Sequence, residues 1–214
     1  MLYGEIAGIA EKRINIYGLL SLVYLHEPTE KLVSILRRKD IKYALSEGGI
    51  NLDLPVNSER CDILLDELAV EYTCLFLGPG KHISPYESVW HNDHGMLWGK
   101  TTSEVKTFIE SLGLEYRADW SGLPDHIGVE LELMHRLTSR EKEAWEQQNK
   151  KTAYLCLEIE KRFIEEHVIQ WVPAFCQKVI EESSLNFYRQ LALLTKQFIE
   201  FDRGQIKALL TEGE

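Results

Sequence analysis

The sequence lacks the features of membrane-spanning, disulfide-bonded and nucleic-acid-binding proteins. No apolar run approaches the roughly 20 residues that a transmembrane helix requires. The few cysteines form no C-x-x-C pair and lie within apolar helical patterns, which favours buried, reduced thiols over disulfides or a zinc site; they are Cys61, Cys74, Cys156 and Cys176. There are 24 Lys and Arg against 34 Asp and Glu, giving a net charge of -10. Nucleic acid is therefore excluded as a partner, because phosphate binding needs clustered cations, whereas a basic peptide would be attracted.

The N-terminal segment does not have the composition of a cleavable targeting signal. Its apolar residues are interrupted by Glu5, Glu11, Lys12 and Arg13, and a secretory signal needs an uninterrupted apolar stretch. We therefore expect a cytoplasmic protein that does not insert into a membrane. With 214 residues the chain can bury a sizeable core, and we expect one domain over residues 1–214.

Motifs for catalysis, phosphate binding and metal binding are incomplete. The run Gly78-Pro79-Gly80-Lys81 lacks the spacer and the Ser or Thr of a phosphate loop. Glu132 and His135 have the Glu-x-x-His spacing of di-iron bundles, but such sites need a second copy and two more inward glutamates. No serine lies in a nucleophile elbow, and no cysteine has a neighbouring histidine that would activate it. We therefore expect no metal, no cofactor and no enzymatic activity.

Hydrophobic spacing along the chain is helical throughout, and no useful run of strand-like alternation is present. Capping residues and Gly or Pro stops divide the pattern into helices of unequal length. Thr29 is expected to cap the helix that it begins, and Leu68, Tyr72 and Phe76 belong to one apolar stripe of the helix that ends at Phe76. The prediction is an all-α, single-domain helical bundle, with helices over residues 5–24, 29–38, 58–76, 101–113, 125–148, 153–166, 170–182 and 184–201.

The most informative stretch runs from the end of the third predicted helix through residue 90. Gly78 is expected to adopt a left-handed C-terminal cap and Pro79 to end the helix. Pro85 restricts its neighbours, so the segment that carries Tyr86 and Trp90 should be ordered although it is neither helix nor strand. An ordered aromatic loop beside a helix is typical of a fixed surface groove for a peptide. The alternative is that these aromatic side chains only fill a gap between helices.

The helix predicted to begin at Asp125 carries acidic groups with two different environments. Asp125 is expected at its N-cap, on the solvated side. Glu130 falls within the apolar face that includes Leu131 and Met134, and it needs a partner, for which His126 one turn earlier is available. Two alternatives stay open: Glu130 either contacts a ligand or only packs, and Asp125 either contacts a ligand or only caps.

These segments together resemble the TorD/DmsD family of redox-enzyme maturation chaperones. The motifs that carry the resemblance are Glu71-Tyr72-x-x-Leu75-Phe76, Gly78-Pro79, Pro85-Tyr86-x-Ser88-x-Trp90, Pro124-Asp125-His126-Ile127, Glu130-Leu131-Glu132-x-Met134 and Trp171-Val172-Pro173-x-Phe175. The resemblance implies an all-helical cytoplasmic protein without catalytic activity. It also implies that the chain binds the twin-arginine signal peptide, and the apoprotein, of a molybdenum-cofactor oxidoreductase and delays export until the cofactor is loaded.

The same resemblance implies which residues contact the signal peptide. Asp125 and His126 are the leading contacts, and the groove is lined by Tyr72, Leu75, Phe76, Pro85, Tyr86, Ser88 and Trp90. Glu130 and Met134 are assigned a structural role. Trp90 stands where the family often has Tyr, and Leu133 where it often has Phe. Either difference could change the choice of partner.

Two functions from other classes remain as alternatives at the level of the sequence. One is a metal-binding helical-bundle enzyme, and the other is a purely structural helical adaptor. For the chaperone hypothesis, a homodimer stays open. The chaperone hypothesis is favoured because two guanidinium groups followed by an apolar stretch need carboxylates beside a hydrophobic groove, and this sequence offers both.

Overall fold

The all-α prediction is confirmed by the computed structural model, which describes residues 3–54, 58–78, 82–91, 97–114 and 122–212, with the side chains of residues 58–61 left out. Within these ranges no strand occurs beyond one isolated bridge. The helices are α1 (Tyr3–Leu25), α2 (Glu30–Leu36), α3 (Lys39–Glu47), α4 (Ser58–Tyr72), α5 (Glu87–Trp90), α6 (Lys100–Ser111), α7 (Ile127–Glu146), α8 (Lys150–Phe163), α9 (Ile169–Glu182) and α10 (Asn186–Thr211). A π-helical turn, Thr73–Leu77, follows α4, and a second, Ile164–Val168, joins α8 to α9.

Several predicted boundaries differ from the observed ones. Helix α3 was not predicted, and α10 continues to Thr211 rather than ending at Phe201. The predicted helices over residues 153–166 and 170–182 form one continuous helical segment, because the π turn joins them without a break.

The prediction for Gly78 is wrong. Its φ of -64° and ψ of 158° are extended, not left-handed. A Cβ atom at this position would lie 3.1 Å from the carbonyl oxygen of Thr73, so glycine is needed here for space and not for a positive φ. Pro79, the expected helix stop, lies outside the described residues.

The expectation that the cysteines are buried holds only in part. Cys156 and Cys176 are buried free thiols, but Cys74 is exposed. Cys74 is two residues from both Tyr72 and Phe76, which places it on the opposite side of the helix from these buried rings. The side chain of Cys61 is not among those that the structure describes.

The chain divides into two compact units. Unit 1 comprises Met1–Leu25, Tyr86–Val172 and Ile199–Glu214, and unit 2 comprises His26–Pro85 and Pro173–Phe198. In the second half of the chain, both boundaries between the units lie inside helices. One is between Val172 and Pro173 in α9, and the other is between Phe198 and Ile199 in α10. The expectation of a single domain stays a prediction.

Unit 1 is built on the packing of α1 along α7 and of α7 against α8. The crossing of α1 and α7 is close at Gly128, where a Cβ atom would lie only 2.5 Å from Cγ of Leu25. Ser21 of α1 donates a hydrogen bond to the carbonyl oxygen of Gly128 at 2.9 Å. Glycine is therefore required at the start of α7, since any side chain would push the two helices apart.

A buried guanidinium holds four helices of unit 1 together. Arg13 of α1 is 2 % exposed and donates to Glu141 of α7, Glu160 of α8 and Asp202 of α10. Tyr17 also donates to Asp202, at 2.6 Å. Three carboxylates around one guanidinium carry an excess of negative charge in a site from which water is excluded.

The excess charge is reduced by protonation. Burial, together with the charges of Glu141 and Asp202, outweighs the attraction of Arg13 and raises the pKa of Glu160 to about 8. Burial likewise raises the pKa of Glu141. Glu160 therefore keeps its proton at neutral pH, although in the unfolded chain it would ionise near pH 4.3.

This proton makes stability depend on pH. Between about pH 4.3 and 8 the folded state binds more protons at Glu160 than the unfolded state does, so its contribution falls as pH rises. Glu160→Gln keeps the volume and an acceptor for Arg13 but cannot ionise. We expect the variant to gain stability relative to the parent as pH increases from 6 to 9, measured by urea unfolding at each pH. A parallel pH dependence in the two proteins would contradict the assignment.

Unit 2 has an aromatic core that α4 shares with the adjoining parts of α9 and α10. The ring of Phe76 lies 5.2 Å from that of Tyr72, 6.0 Å from that of Phe175 and 6.1 Å from that of Tyr188. The hydroxyl of Tyr188 donates to the carbonyl oxygen of Leu68 at 2.9 Å. The apolar stripe predicted for this helix is therefore packed against other helices.

Glu71 explains why an acidic residue precedes this aromatic pair. It is 8 % exposed and accepts hydrogen bonds from the backbone N–H groups of Ser184 and Leu185, just before α10 begins. The first N–H groups of a helix have no partner within the helix, so a carboxylate supplied by α4 stabilises this helix start. The acidic position of the sequence motif is thus structural.

Among the helices of the described ranges, none combines the length and the apolar character needed to cross a bilayer.

Candidate functional site

A short turn packs against the start of α7 and forms the centre of the candidate site in unit 1. Tyr86 and His126 form an isolated antiparallel bridge, and the N–H of Glu87 donates to the carbonyl oxygen of Asp125 at 2.8 Å. The N–H of Ser88 donates to Oδ2 of Asp125 at 3.0 Å. The segment after Pro85 was expected to be neither helix nor strand, but residues 87–90 form the single helical turn α5.

Two expectations for Asp125 are wrong. It is fully buried rather than solvated, and it is not the N-cap of α7. It instead caps α5, which precedes it by 37 residues, through the bond to Ser88. The N-cap of α7 is His126, whose Nδ1 accepts from the N–H of Gly128 at 3.1 Å. This bond requires an unprotonated Nδ1, so the neutral imidazole carries its hydrogen on Nε2.

Aromatic side chains cover this turn. The rings of Tyr86 and His126 meet edge to face with centroids 5.0 Å apart, and those of Trp90 and Trp171 lie 6.5 Å apart. Tyr86 and Trp90 are half-buried. Burial, followed by the negative charge of Asp125, raises the pKa of the Tyr86 hydroxyl. We refer to Tyr86 and Trp90 as the rim of the site. The negative potential of Asp125 therefore extends to the rim.

Behind the rim lies a cluster of three carboxyl groups, defined by Glu87, Asp125 and Glu130, each with no exposed surface. Glu87 accepts from Nδ1 of His167 at 3.0 Å and from Nε2 of His91 at 2.9 Å. We refer to these three residues as the carboxyl cluster.

Glu130 has a different partner from the expected one. The prediction of His126 is wrong, because Oε2 of Glu130 accepts from Nε1 of Trp171 at 3.1 Å. Burial and the charge of Glu87, to which it is also hydrogen-bonded, raise the pKa of Glu130 well above its usual value. Two carboxyl groups that meet in a buried site share a proton, and Glu130 holds it.

The atoms left without partners show where the cluster can accept a further interaction. Oδ1 of Asp125, Oε1 of Glu130 and Oγ of Ser88 are buried without a hydrogen bond to another described group. A carboxylate oxygen in that condition is a strong acceptor for a charged donor.

The predicted site residues fall in both units. Tyr86, Ser88, Trp90, Asp125 and His126 lie in unit 1 as described above, and Met134 is buried in α7. The other four predicted lining residues belong to unit 2 and are buried there; they are Tyr72, Leu75, Phe76 and Pro85. Buried rings and a buried proline cannot contact a peptide directly without rearrangement, so their part in the motif is to build the core.

Sequence reasoning missed the groups that hold the carboxyl cluster. His167 reaches Glu87 from a position 80 residues away, and Trp171 reaches Glu130 across 41 residues. Trp171 could have been found from the sequence, because it is the first residue of one of the matched motifs. No spacing in the sequence pointed to His167.

No group of three or more His, Cys, Asp or Glu side chains among the described residues is arranged to hold a metal ion.

Comparison with known proteins confirms the resemblance drawn from the motifs. Residues 29–177 match the family described as nitrate reductase delta subunit. The chaperone protein TorD of Vibrio cholerae serotype O1 strain M66-2 is 25 % identical over 219 residues, covering 97 % of this chain and 98 % of that protein. TorD of Vibrio vulnificus strain YJ016 is 26 % identical over 210 residues, covering 92 % and 96 %.

A solved structure supports the same fold. A putative redox enzyme maturation protein from Archaeoglobus fulgidus superposes with a TM-score of 0.51, covering 88 % of this chain and 93 % of that one at 23 % identity. At this identity the likeness concerns the fold.

The structure also yields a test of how the carboxyl cluster is held. Glu130→Gln imitates the protonated side chain, because its amide can accept from Trp171 and donate to Glu87. We expect near-parental stability at neutral pH. Glu130→Ala removes the bonds to both partners and opens a cavity, which should cost about 2–4 kcal/mol of unfolding free energy.

Urea unfolding as a function of pH checks both variants. A raised pKa in the folded state means that the parent loses stability as pH rises above about 4.3, a loss that Glu130→Gln should not show. If Glu130→Gln is as damaging as Glu130→Ala, then Glu130 is not the protonated member of the cluster.

Proposed function

Since the chain belongs to the nitrate reductase delta subunit family, we propose that it is a maturation chaperone that binds the twin-arginine leader and the apoprotein of a molybdenum-cofactor oxidoreductase. It acts in the cytoplasm, has no catalytic activity and delays export until the cofactor is in place. The family match and the relatives named as chaperones support this role. The proposal that the leader is the ligand rests on the chemistry of the site.

The observation that carries the proposal is the fixed acidic corner at the start of α7. Asp125 is held by two backbone N–H groups of the α5 turn, and one of its oxygens keeps an unused lone pair. Tyr86, whose hydroxyl pKa is raised by burial and by the charge of Asp125, and Trp90 are half-buried aromatic residues of the same turn. A guanidinium group is attracted by the carboxylate and stacks well on aromatic rings.

The buried position of Asp125 defines its role. A leader arginine is drawn by its charge and contacts the aromatic rim first. Asp125 has no exposed surface, so a direct bond to Oδ1 requires the site to open. The Tyr86 ring meets His126 edge to face. Asp125 and His126 thus act by positioning the rim and by supplying negative potential, while Tyr86 and Trp90 make the contacts.

The placement of the candidate acid–base groups supports a role without catalysis. Glu87 and Glu130 have no exposed surface; Glu87 is bonded to His91 and His167, and Oε2 of Glu130 is bonded to Trp171. General acid–base catalysis needs a group within hydrogen-bonding reach of a substrate. These groups are instead bonded to one another.

Leader binding by Asp125→Asn provides the direct test. Asparagine keeps an acceptor for the N–H of Ser88 but removes the charge, so the fold should persist with an unchanged or higher Tm. We expect affinity for a labelled twin-arginine leader to fall about fivefold to tenfold, corresponding to about 1–1.4 kcal/mol, measured by fluorescence anisotropy. Glu143→Gln is the matched control, because it removes one exposed charge from the same helix.

Two further measurements sharpen this test. A leader with both arginines changed to glutamine should bind the parent weakly and should not distinguish Asp125→Asn from it. His126→Asn can keep the cap on Gly128 while removing the ring beneath Tyr86, whereas His126→Ala loses both. Asp125→Asn binding as tightly as the parent would exclude Asp125 from recognition.

Ionic strength should affect leader binding through the same charges. Screening shortens the range of electrostatic attraction from about 10 Å at 0.1 M salt to about 3 Å at 1 M. We expect the affinity for the twin-arginine leader to weaken several-fold over this range while an apolar contribution persists. The leader with glutamine in place of both arginines serves as the control. An affinity for the arginine leader that does not change with salt would remove the ionic part of the mechanism.

A further inference from the structure

The corner formed by α2 and α3 is basic in a strongly acidic chain. Residues 31–46 contain five cations and one acidic side chain, whereas the whole chain has a net charge of -10. Arg38 is paired with the acidic residue, Asp40, at 2.6 Å. Among the residues that the structure describes, the ammonium group of Lys42 has no ion-pair partner. The corner therefore attracts anions although the protein as a whole repels them.

A cavity lies at this corner, within unit 2. Its volume is about 360 Å³, which falls in the range of roughly 300–1,000 Å³ that is typical of small-molecule sites. The apolar part of its wall consists of Leu36, Leu45, Ile50, Leu52 and Leu54. A ligand with an apolar body would therefore be drawn out of water by this wall.

The wall is formed where the chain turns back at the end of α3. Gly49 has a φ of 76°, a left-handed conformation that favours glycine. The N–H of Ile50 donates to the carbonyl oxygen of Leu45 at 2.9 Å, and the N–H of Gly49 donates to that of Ser46 at 2.9 Å. These two bonds define a Schellman motif, which brings Ile50 beside Leu45. Both side chains line the cavity.

The segment after this turn is fixed to α10 by hydrogen bonds. The N–H of Asn51 donates to Oε1 of Gln190 at 3.1 Å. The side-chain amide of Asn186 donates to the carbonyl oxygen of Asn51 at 2.8 Å and to the carboxylate of Asp53 at 2.6 Å. The cavity is therefore formed in advance of binding, which lowers the ordering cost of taking up a ligand.

The charged side chains at the cavity favour an anion. Arg37 and Lys42 line it, and Asp53 is the acidic residue among the described residues that do so. The Asp53 carboxylate accepts from Asn186, whereas the two cations can each donate to a carboxylate. A cationic ligand such as a twin-arginine leader would be repelled here.

We propose that this cavity binds a small carboxylate with an apolar chain, the chain lying among the leucines and the carboxylate between Arg37 and Lys42. The class of ligand follows from the walls, which combine an apolar surface with cations and offer no comparable partner for a neutral polar molecule. The proposal goes beyond the chaperone function and does not depend on it, because the leader site lies in unit 1.

Isothermal titration calorimetry of the full-length protein tests the ligand class with three probes. Sodium octanoate should bind at one saturable site with a Kd on the order of 100 µM. The uncharged 1-octanol has the same chain length and should bind at least fivefold more weakly. Sodium acetate, which has the charge without the chain, should show no measurable binding.

Substitution of Lys42 tests the position of the carboxylate. Lys42→Gln keeps most of the side-chain length and removes the charge, so we expect the affinity for octanoate to fall about fivefold or more. Lys42→Arg keeps the charge and should bind like the parent. Lys39→Gln is the matched control, because Lys39 is an exposed cation of the same helix that is not among the described lining residues. It should leave the affinity unchanged.

A second variant tests the space in the cavity. Ser46 lines the cavity and is exposed, so Ser46→Phe adds a ring there without disturbing the core. We expect the variant to lose octanoate binding while its Tm stays close to that of the parent. An affinity that is unchanged in Ser46→Phe would place the bound octanoate elsewhere and overturn the proposal.

The remaining outcomes also decide the proposal. Octanoate binding that Lys42→Gln weakens, Lys42→Arg restores and Lys39→Gln leaves unchanged supports it. Octanoate that does not bind the parent, or that binds no more tightly than 1-octanol, overturns it. Self-association in analytical ultracentrifugation that Lys42→Gln abolishes and octanoate does not affect assigns the corner to a second copy of this acidic chain, and this result overturns the proposal as well.

Discussion

Two backbone N–H groups bonded to one aspartate are the constraint on which the candidate site depends. An isolated helical turn of four residues is unstable in water, because nucleation fixes several dihedral angles for few hydrogen bonds. The turn α5 exists because Asp125 accepts from Glu87 through its carbonyl oxygen and from Ser88 through its side chain. These bonds also direct the Glu87 side chain inward, toward Glu130 and His167. The same two hydrogen bonds therefore position both the rim and the carboxyl cluster.

Unit 1 accommodates buried negative charge in the same way at two places. Around Arg13 three carboxylates face one guanidinium, and in the carboxyl cluster three carboxyl groups face histidines and an indole N–H. In each case one glutamate keeps its proton, Glu160 in the first and Glu130 in the second. A protonated carboxyl group costs far less to bury than a charged one and can also donate. Acidic residues can thus be used as hydrogen-bonding groups inside a strongly acidic protein.

Much of the fold could be predicted because helical periodicity records burial directly. The stripe through Leu68, Tyr72 and Phe76 gave the inner face of α4 correctly, and Thr29 does cap α2 by accepting from the N–H of Leu32. The exposed thiol of Cys74 was missed because apolar residues nearby were taken as a sign of burial for every cysteine. Its angular position already separated it from the buried rings.

The candidate site was harder to predict because distant segments decide it. Asp125 has the sequence context of an N-cap, and no local rule indicates that a turn 37 residues earlier would pack over it and claim its side chain. The same holds for Glu130, whose local partner His126 was plausible by spacing but is replaced by Trp171. The motifs identified the family correctly, whereas the roles of their residues required the tertiary contacts.

The contacts of Arg13 have a consequence for how the protein is made. Its partners lie 128, 147 and 189 residues later in the sequence, the last of them on the final helix. Such separations give a high contact order, and loops of this length must close before the ion pairs can form. Unit 1 cannot complete its core until α10 has been synthesised, so α1 and its arginine lack their partners while the intervening helices are made. Folding of this unit therefore comes late, whereas α2 and α3, which contact each other locally, can form earlier.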